Sequence, residues 1–287
     1  MRKWIFRIVF AILLAVFLFS AGSLYLIYRQ YKDSEKVYDA VAAQFVTPRE
    51  DNADGPVAVL ANVPLPDAKT EKKISNETDD ESDDGYSIIA PFEVDFDALH
   101  AINEDIVGWI YCEGTSINYP ILQTDDNDYY LHRSYDRSYL FTGSIFVEEM
   151  NQPIFGDSNT IIYGHNMRDG SMFAVLQDWR EQEFYDTHRY IWILTPEQDY
   201  AMLVFSAYTT SATSDTYQVF SGPGEDLNQY LAYVQNSSEF SSDVALDPEG
   251  KYVVLSTCAY VFDNARYVMH GMLIPVDSAG GRLKIGE

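Results

Sequence analysis

The chain has 287 residues, 47% of them hydrophobic, enough for one ordinary globular domain with appendages and not demanding two. A formal net charge of −25 argues against any partnership with nucleic-acid phosphates. Two cysteines, Cys112 and Cys258, make no disulfide framework, and no group of residues has metal-ligand spacing, so neither a metal nor another cofactor is expected.

The chain opens with a stretch from Ile8 to Tyr28 that carries no charged residue, long enough for an apolar helix to span a bilayer core. Arg2, Lys3 and Arg7 precede it, and the positive-inside bias then leaves the N-terminus cytoplasmic and everything after Tyr28 outside. The run exceeds the apolar region of a usual signal peptide, so residues 1–30 are assigned as cytoplasmic N-terminus and retained membrane anchor. Residues 31–86 are assigned as an extracellular acidic tether. Tyr31 to Phe45 can extend the helix, but Asp51 to Tyr86 holds three prolines, the acidic run Glu77–Asp84 and few large apolar side chains. Such a segment buries too little surface to offset its chain entropy. Behaving as a flexible chain, it would span roughly 30 Å.

Residues 87–287 form the expected folded domain. Helical spacing occurs at Phe96–Ile102, again at Met172, Val175, Leu176 and Trp179 with Asp169-Gly170-Ser171 as capping candidates, and at Leu227, Tyr230, Leu231 and Val234. Strands are predicted over Ile106–Tyr111, Gly143–Val147, Asn159–Tyr163, Tyr190–Leu194, Tyr200–Tyr208, Tyr252–Thr257 and Arg266–Ile274. Seven or eight strands with few helices indicate a mainly β fold closed, or nearly closed, into a barrel.

Three residues at predicted strand ends carry chemistry. Val253-Val254-Leu255-Ser256-Thr257-Cys258 ends in a thiol, a short turn follows, and Arg266 opens the next strand, so a hairpin can set a cation beside a nucleophile. Ile161-Ile162-Tyr163-Gly164-His165 ends in an imidazole. In that arrangement Cys258 attacks a peptide carbonyl, His165 protonates the leaving amine and Arg266 stabilises the oxyanion or holds the substrate backbone. Cys112 has no basic neighbour and reads as structural, while His100, His132, His188 and His270 sit in no motif and read as surface or packing histidines.

Tyr163–Phe173 resembles the histidine motif of class B sortases, and Leu255-Ser256-Thr257-Cys258 with Arg266 eight residues on resembles their cysteine–arginine hairpin. Val107-Gly108-Trp109-Ile110, Tyr119–Gln123 and Asn127–Leu131 are also similar to that family, and Val254 departs from it at a position where Thr is common. The resemblance covers Phe92 to Ile274. It implies a sortase-like barrel preceded by one transmembrane helix, with catalytic His165, Cys258 and Arg266 and a peptide groove that includes Asn127, Leu131 and Ser256. It further implies a membrane-anchored cysteine transpeptidase that cleaves the sorting-signal peptide of secreted proteins and transfers them to a peptidoglycan or lipid-linked precursor amine. A sorting motif of the Asn-Pro-x-Thr-x kind is implied over Leu-Pro-x-Thr-Gly. The alternatives are a thiol peptidase releasing product to water, a catalytically silent surface module and a pilus-polymerising sortase.

Overall fold

The structure, a computed structural model, describes residues 2–49, 90–153 and 155–276. A long helix α1 (Arg2–Phe45) leads into β1 (Val46–Pro48), which pairs antiparallel with β2 (Phe92–Val94). Then follow α2 (Phe96–His100), β3 (Ile106–Tyr111), β4 (Asn118–Leu122), β5 (Ile145–Val147), β6 (Asn159–Tyr163), α3 (Gln182–Thr187), β7 (Tyr190–Leu194), β8 (Tyr200–Ser211), α4 (Glu225–Asn236), β9 (Lys251–Cys258) and β10 (Ala265–Pro275). Eight strands close a barrel in the order β10-β8-β7-β3-β4-β5-β6-β9, with β9 returning to β10. Trp109, Phe205, Tyr252 and Tyr267 are among its fully buried side chains.

The strand rule of alternation or short apolar runs located seven of the barrel strands. β4 escaped it because Pro120 lies in its middle, and proline weakens any strand assignment. In the structure β4 has β5 beside it only at Ile121 and Leu122, so Pro120 stands where β4 is paired with β3 alone.

One expectation is corrected. Met172 does not begin a helix: its φ is +57°, it forms an isolated bridge with Asn166, and a 3-10 helix runs over Ala174–Arg180 instead. Within Phe173–Arg180 the fully buried residues are Phe173, Leu176 and Trp179, and a repeat of three is the period at which 3-10 side chains eclipse. Over Tyr31–Phe45 the helical extension that the sequence allows is present. α1 continues unbroken to Phe45, and Ser34, Tyr38, Val41 and Phe45, spaced four, three and four, are buried. Tyr38 donates its hydroxyl proton to the Gly143 carbonyl and its ring meets Tyr119 edge-on. Residues 50–86 of the expected tether, and the domain start at 87, lie outside the described residues.

The first half of α1 carries exposed large apolar side chains from Trp4 to Tyr28, and the helix over Lys3–Phe45 is long and apolar enough to cross a membrane.

Candidate active site

The β9–β10 hairpin sets the first pair. Cys258 stands directly opposite Arg266 in the antiparallel register, so the two side chains leave the sheet on the same face. Cys258 is half-buried and both cysteines are free thiols. Arg266 gives one Nη1 hydrogen to the Ala265 carbonyl at 3.1 Å, and among the described residues no carboxylate lies within ion-pair distance of it. Its remaining donors are available to an oxygen near the thiol.

β6 runs parallel to β9, with Tyr163 beside Ser256, and carries His165 to the same end of the barrel. Three hydrogen bonds fasten the histidine loop to the cysteine strand: Gly164 N–H to the Ser256 carbonyl at 3.1 Å, Thr257 Oγ1 to the Gly164 carbonyl at 2.8 Å, and Asn166 Nδ2 to the Cys258 carbonyl at 2.6 Å. Glycine is needed at 164, because a Cβ there would lie 2.5 Å from Ile145 Cδ1 and 2.7 Å from the Phe173 ring.

His165 Nε2 is 2.8 Å from the Leu131 carbonyl oxygen. A carbonyl only accepts, so Nε2 carries the hydrogen and the neutral ring keeps its lone pair on Nδ1. Burial of the ring lowers its pKa below the ordinary histidine value, against which the Leu131 hydrogen bond works in the opposite sense. The resting imidazole is therefore neutral near pH 7 and able to take a proton.

Cys258, His165, Arg266, Asn127, Leu131 and Ser256 line one cavity of about 210 Å³, together with Phe146, Tyr163, Gly164 and Thr257. The sequence singled out the first six residues from segments far apart in the chain, and the fold brings all six together. Asn127 is already engaged: its Nδ2 donates to Glu148 Oε1 at 2.7 Å and its Oδ1 accepts from Glu149 N–H at 2.9 Å. Tyr163 donates to the other Glu148 oxygen at 2.7 Å. One amide hydrogen of Asn127 is left for a ligand. Ser256 Oγ pairs with Tyr217 Oη at 2.8 Å, and the Tyr217 ring stacks near Tyr163 at 6.3 Å between centroids.

Tyr217 and Glu148 are the residues that sequence reasoning missed. Tyr217 belongs to the long β8–β9 insertion, where no periodicity marks it, and Glu148 follows β5 without a motif of its own. α4, in the same insertion, buries Leu227, Tyr230, Leu231 and Val234 and contributes no side chain to the cavity. Cys112 is buried, and burial pushes its thiol up to about 12, so it stays protonated at physiological pH.

A family model described as the Sortase domain matches residues 110–274. Sortase B of Listeria monocytogenes is 38% identical over 180 residues, covering 61% of this chain and 72% of that protein. The Staphylococcus aureus sortase B–substrate complex superposes with a TM-score of 0.60 at 36% identity, over 63% of this chain and 85% of that one. A sortase B crystallised with triglycine gives a TM-score of 0.59 at 38% identity, over 63% and 86%.

Proposed function

We propose, from the premise that this chain belongs to the sortase family and is a class B sortase cysteine transpeptidase, that it cleaves a C-terminal sorting signal through a thioester on Cys258 and passes the acyl group to a cell-wall amine. The observation that carries the reading is the opposition of Cys258 and Arg266 across one hairpin, with His165 in the same cavity.

In this mechanism the Cys258 thiol sulfur bonds to the scissile carbonyl carbon as its proton passes to His165 Nδ1. Arg266 donates to the oxygen that gains charge. The C–N bond breaks as His165 returns the proton to the leaving amine, which gives a thioester and a released C-terminal peptide. An incoming amine then attacks the same carbon, His165 removes its proton, and a new amide forms as the thiol is restored. The Leu131 carbonyl supports this proton traffic by holding the hydrogen on Nε2 and leaving Nδ1 for exchange.

The substrate and triglycine complexes of the related sortase B proteins support a peptide and an amine as the two partners. One amide hydrogen of Asn127 and the hydroxyls of Ser256 and Tyr217 offer polar partners to a sorting peptide with asparagine at its first position, which favours Asn-Pro-x-Thr-x over Leu-Pro-x-Thr-Gly. The apolar half of α1 supports a single-pass anchor, with Arg2, Lys3 and Arg7 on the cytoplasmic side and the barrel outside.

The test uses detergent-solubilised full chain, both peptide types at equal concentration, and a panel of amines that includes triglycine, read by mass spectrometry. A peptide–amine conjugate, formed faster from the asparagine peptide, is expected. Excess of every amine leaving only the hydrolysed peptide would refute transfer, and clear preference for the leucine peptide would refute the specificity alone.

A further inference from the structure

The turn that bonds His165 also covers one face of its ring. Leu131 and His132 are consecutive residues of the 3-10 turn Tyr129–His132. The first supplies the carbonyl that accepts from Nε2 of His165 at 2.8 Å, and the second lays its own imidazole against that ring, 5.6 Å between centroids and 15° from parallel. His132 is itself held: its Nδ1 lies 3.3 Å from the Phe141 carbonyl, and the Tyr139 ring stands 6.5 Å away.

We propose that His132 is a positioning residue for His165, fixing the plane of the imidazole while Leu131 fixes its tautomer; this rests on the assignment of His165 as the proton carrier. A hydrogen bond to one edge leaves a ring free to swing about the N–H···O axis, and a flat group packed on its face removes that freedom. Two neighbouring residues of one tight turn do both, so the turn acts as a single clamp. Proton transfer to and from a thiol depends steeply on such alignment.

The clamp also couples charge. His132 is exposed and shares a surface depression with Asp126, Asp128, Tyr129, Arg133 and Tyr139, while Cys258 and Arg266 share the cavity of His165. A proton on His132 puts a cation against the ring of His165 and opposes a second proton there, an effect in the same direction as that of burial.

The test compares wild type, His132→Ala and His132→Phe in the detergent-solubilised full chain. Cleavage kinetics are read as kcat and KM across pH 5 to 9, and ¹⁵N-histidine NMR reports the tautomer and titration of His165. The Ala variant should lose about tenfold in kcat at nearly constant KM. The Phe variant, which keeps a flat ring and no charge, should recover most of that rate and show His165 titrating at higher pH than in wild type. Wild-type kcat in His132→Ala overturns the proposal. So does an equal loss in the Phe variant, because ring packing would then not be what His132 supplies. His165→Ala is the control for the underlying assignment: activity surviving there would refute the role of His165 rather than that of His132.

Discussion

Acidification should destabilise this protein through one side chain remote from the thiol. His270, on β10, is fully buried among Tyr208, Phe205 and Tyr230, stacks on Tyr208 at 5.4 Å and 5°, and among the described residues has no hydrogen-bond partner for either ring nitrogen. Burial alone lowers its pKa to about 3, against 6.5 for an accessible histidine. The unfolded chain therefore binds a proton below pH 6.5 that the native protein refuses until pH 3. Stability contributed by this site is intact above pH 7, declines as pH falls from 6.5, and levels off below pH 3. Between pH 7 and pH 5 the loss is about 2 kcal/mol, from about 1.4 kcal/mol for each pH unit below the unfolded pKa. Urea unfolding of wild type and His270→Phe at both pH values isolates it. Overpacking by the phenyl ring is the same at both pH values, and other titrating groups contribute alike in the two proteins, so both cancel when the pH differences are compared. The variant should thus show a pH difference about 2 kcal/mol smaller than wild type. Equal pH differences in the two proteins would refute a neutral, unpartnered His270.

Arg266→Lys should lower kcat by about ten- to hundredfold although the charge is kept, because an ammonium lacks the planar set of donors that reaches an oxyanion beside Cys258; near-wild-type turnover in a cleavage assay would reduce Arg266 to a nearby positive charge. Tyr38→Ala should cost about 3 kcal/mol in chemical denaturation, since it deletes a buried ring and its hydroxyl bond to Gly143. A soluble piece beginning at residue 31 should accordingly melt higher than one beginning at 88, which lacks Tyr38, Val41, Phe45 and β1; equal melting temperatures would show that the end of α1 adds nothing to the barrel.

Most of the barrel was legible because its strands are short apolar runs bounded by turns, and such runs carry no competing period. The histidine, cysteine and arginine were legible for a different reason: each lies at or just past a strand end within a recognisable motif, where a side chain can leave a packed sheet for an open cavity. What the sequence hid follows from context. The buried stripe Ser34, Tyr38, Val41 and Phe45 has helical spacing, but it follows an apolar run long enough to cross a membrane and precedes an acidic segment, and both neighbours argue for solvent rather than docking. The 3-10 turn after Met172 differs from an α-helix by about half a residue per turn, too little to resolve over Phe173, Leu176 and Trp179. Tyr217 and Glu148 meet the site only through tertiary contacts, and His132 looked like any exposed histidine until the fold set it on His165.

The proposed chemistry rests on one thiol, Cys258, as the residue that forms the acyl-enzyme. Intact-mass spectrometry after brief exposure to the sorting peptide, followed by peptide mapping, tests it most directly. An acyl adduct is expected on Cys258 in wild type and none in Cys258→Ala, whose fold should persist because exchanging a half-buried thiol for a methyl changes little packing. An adduct on Cys112, or cleavage retained by Cys258→Ala, would contradict it.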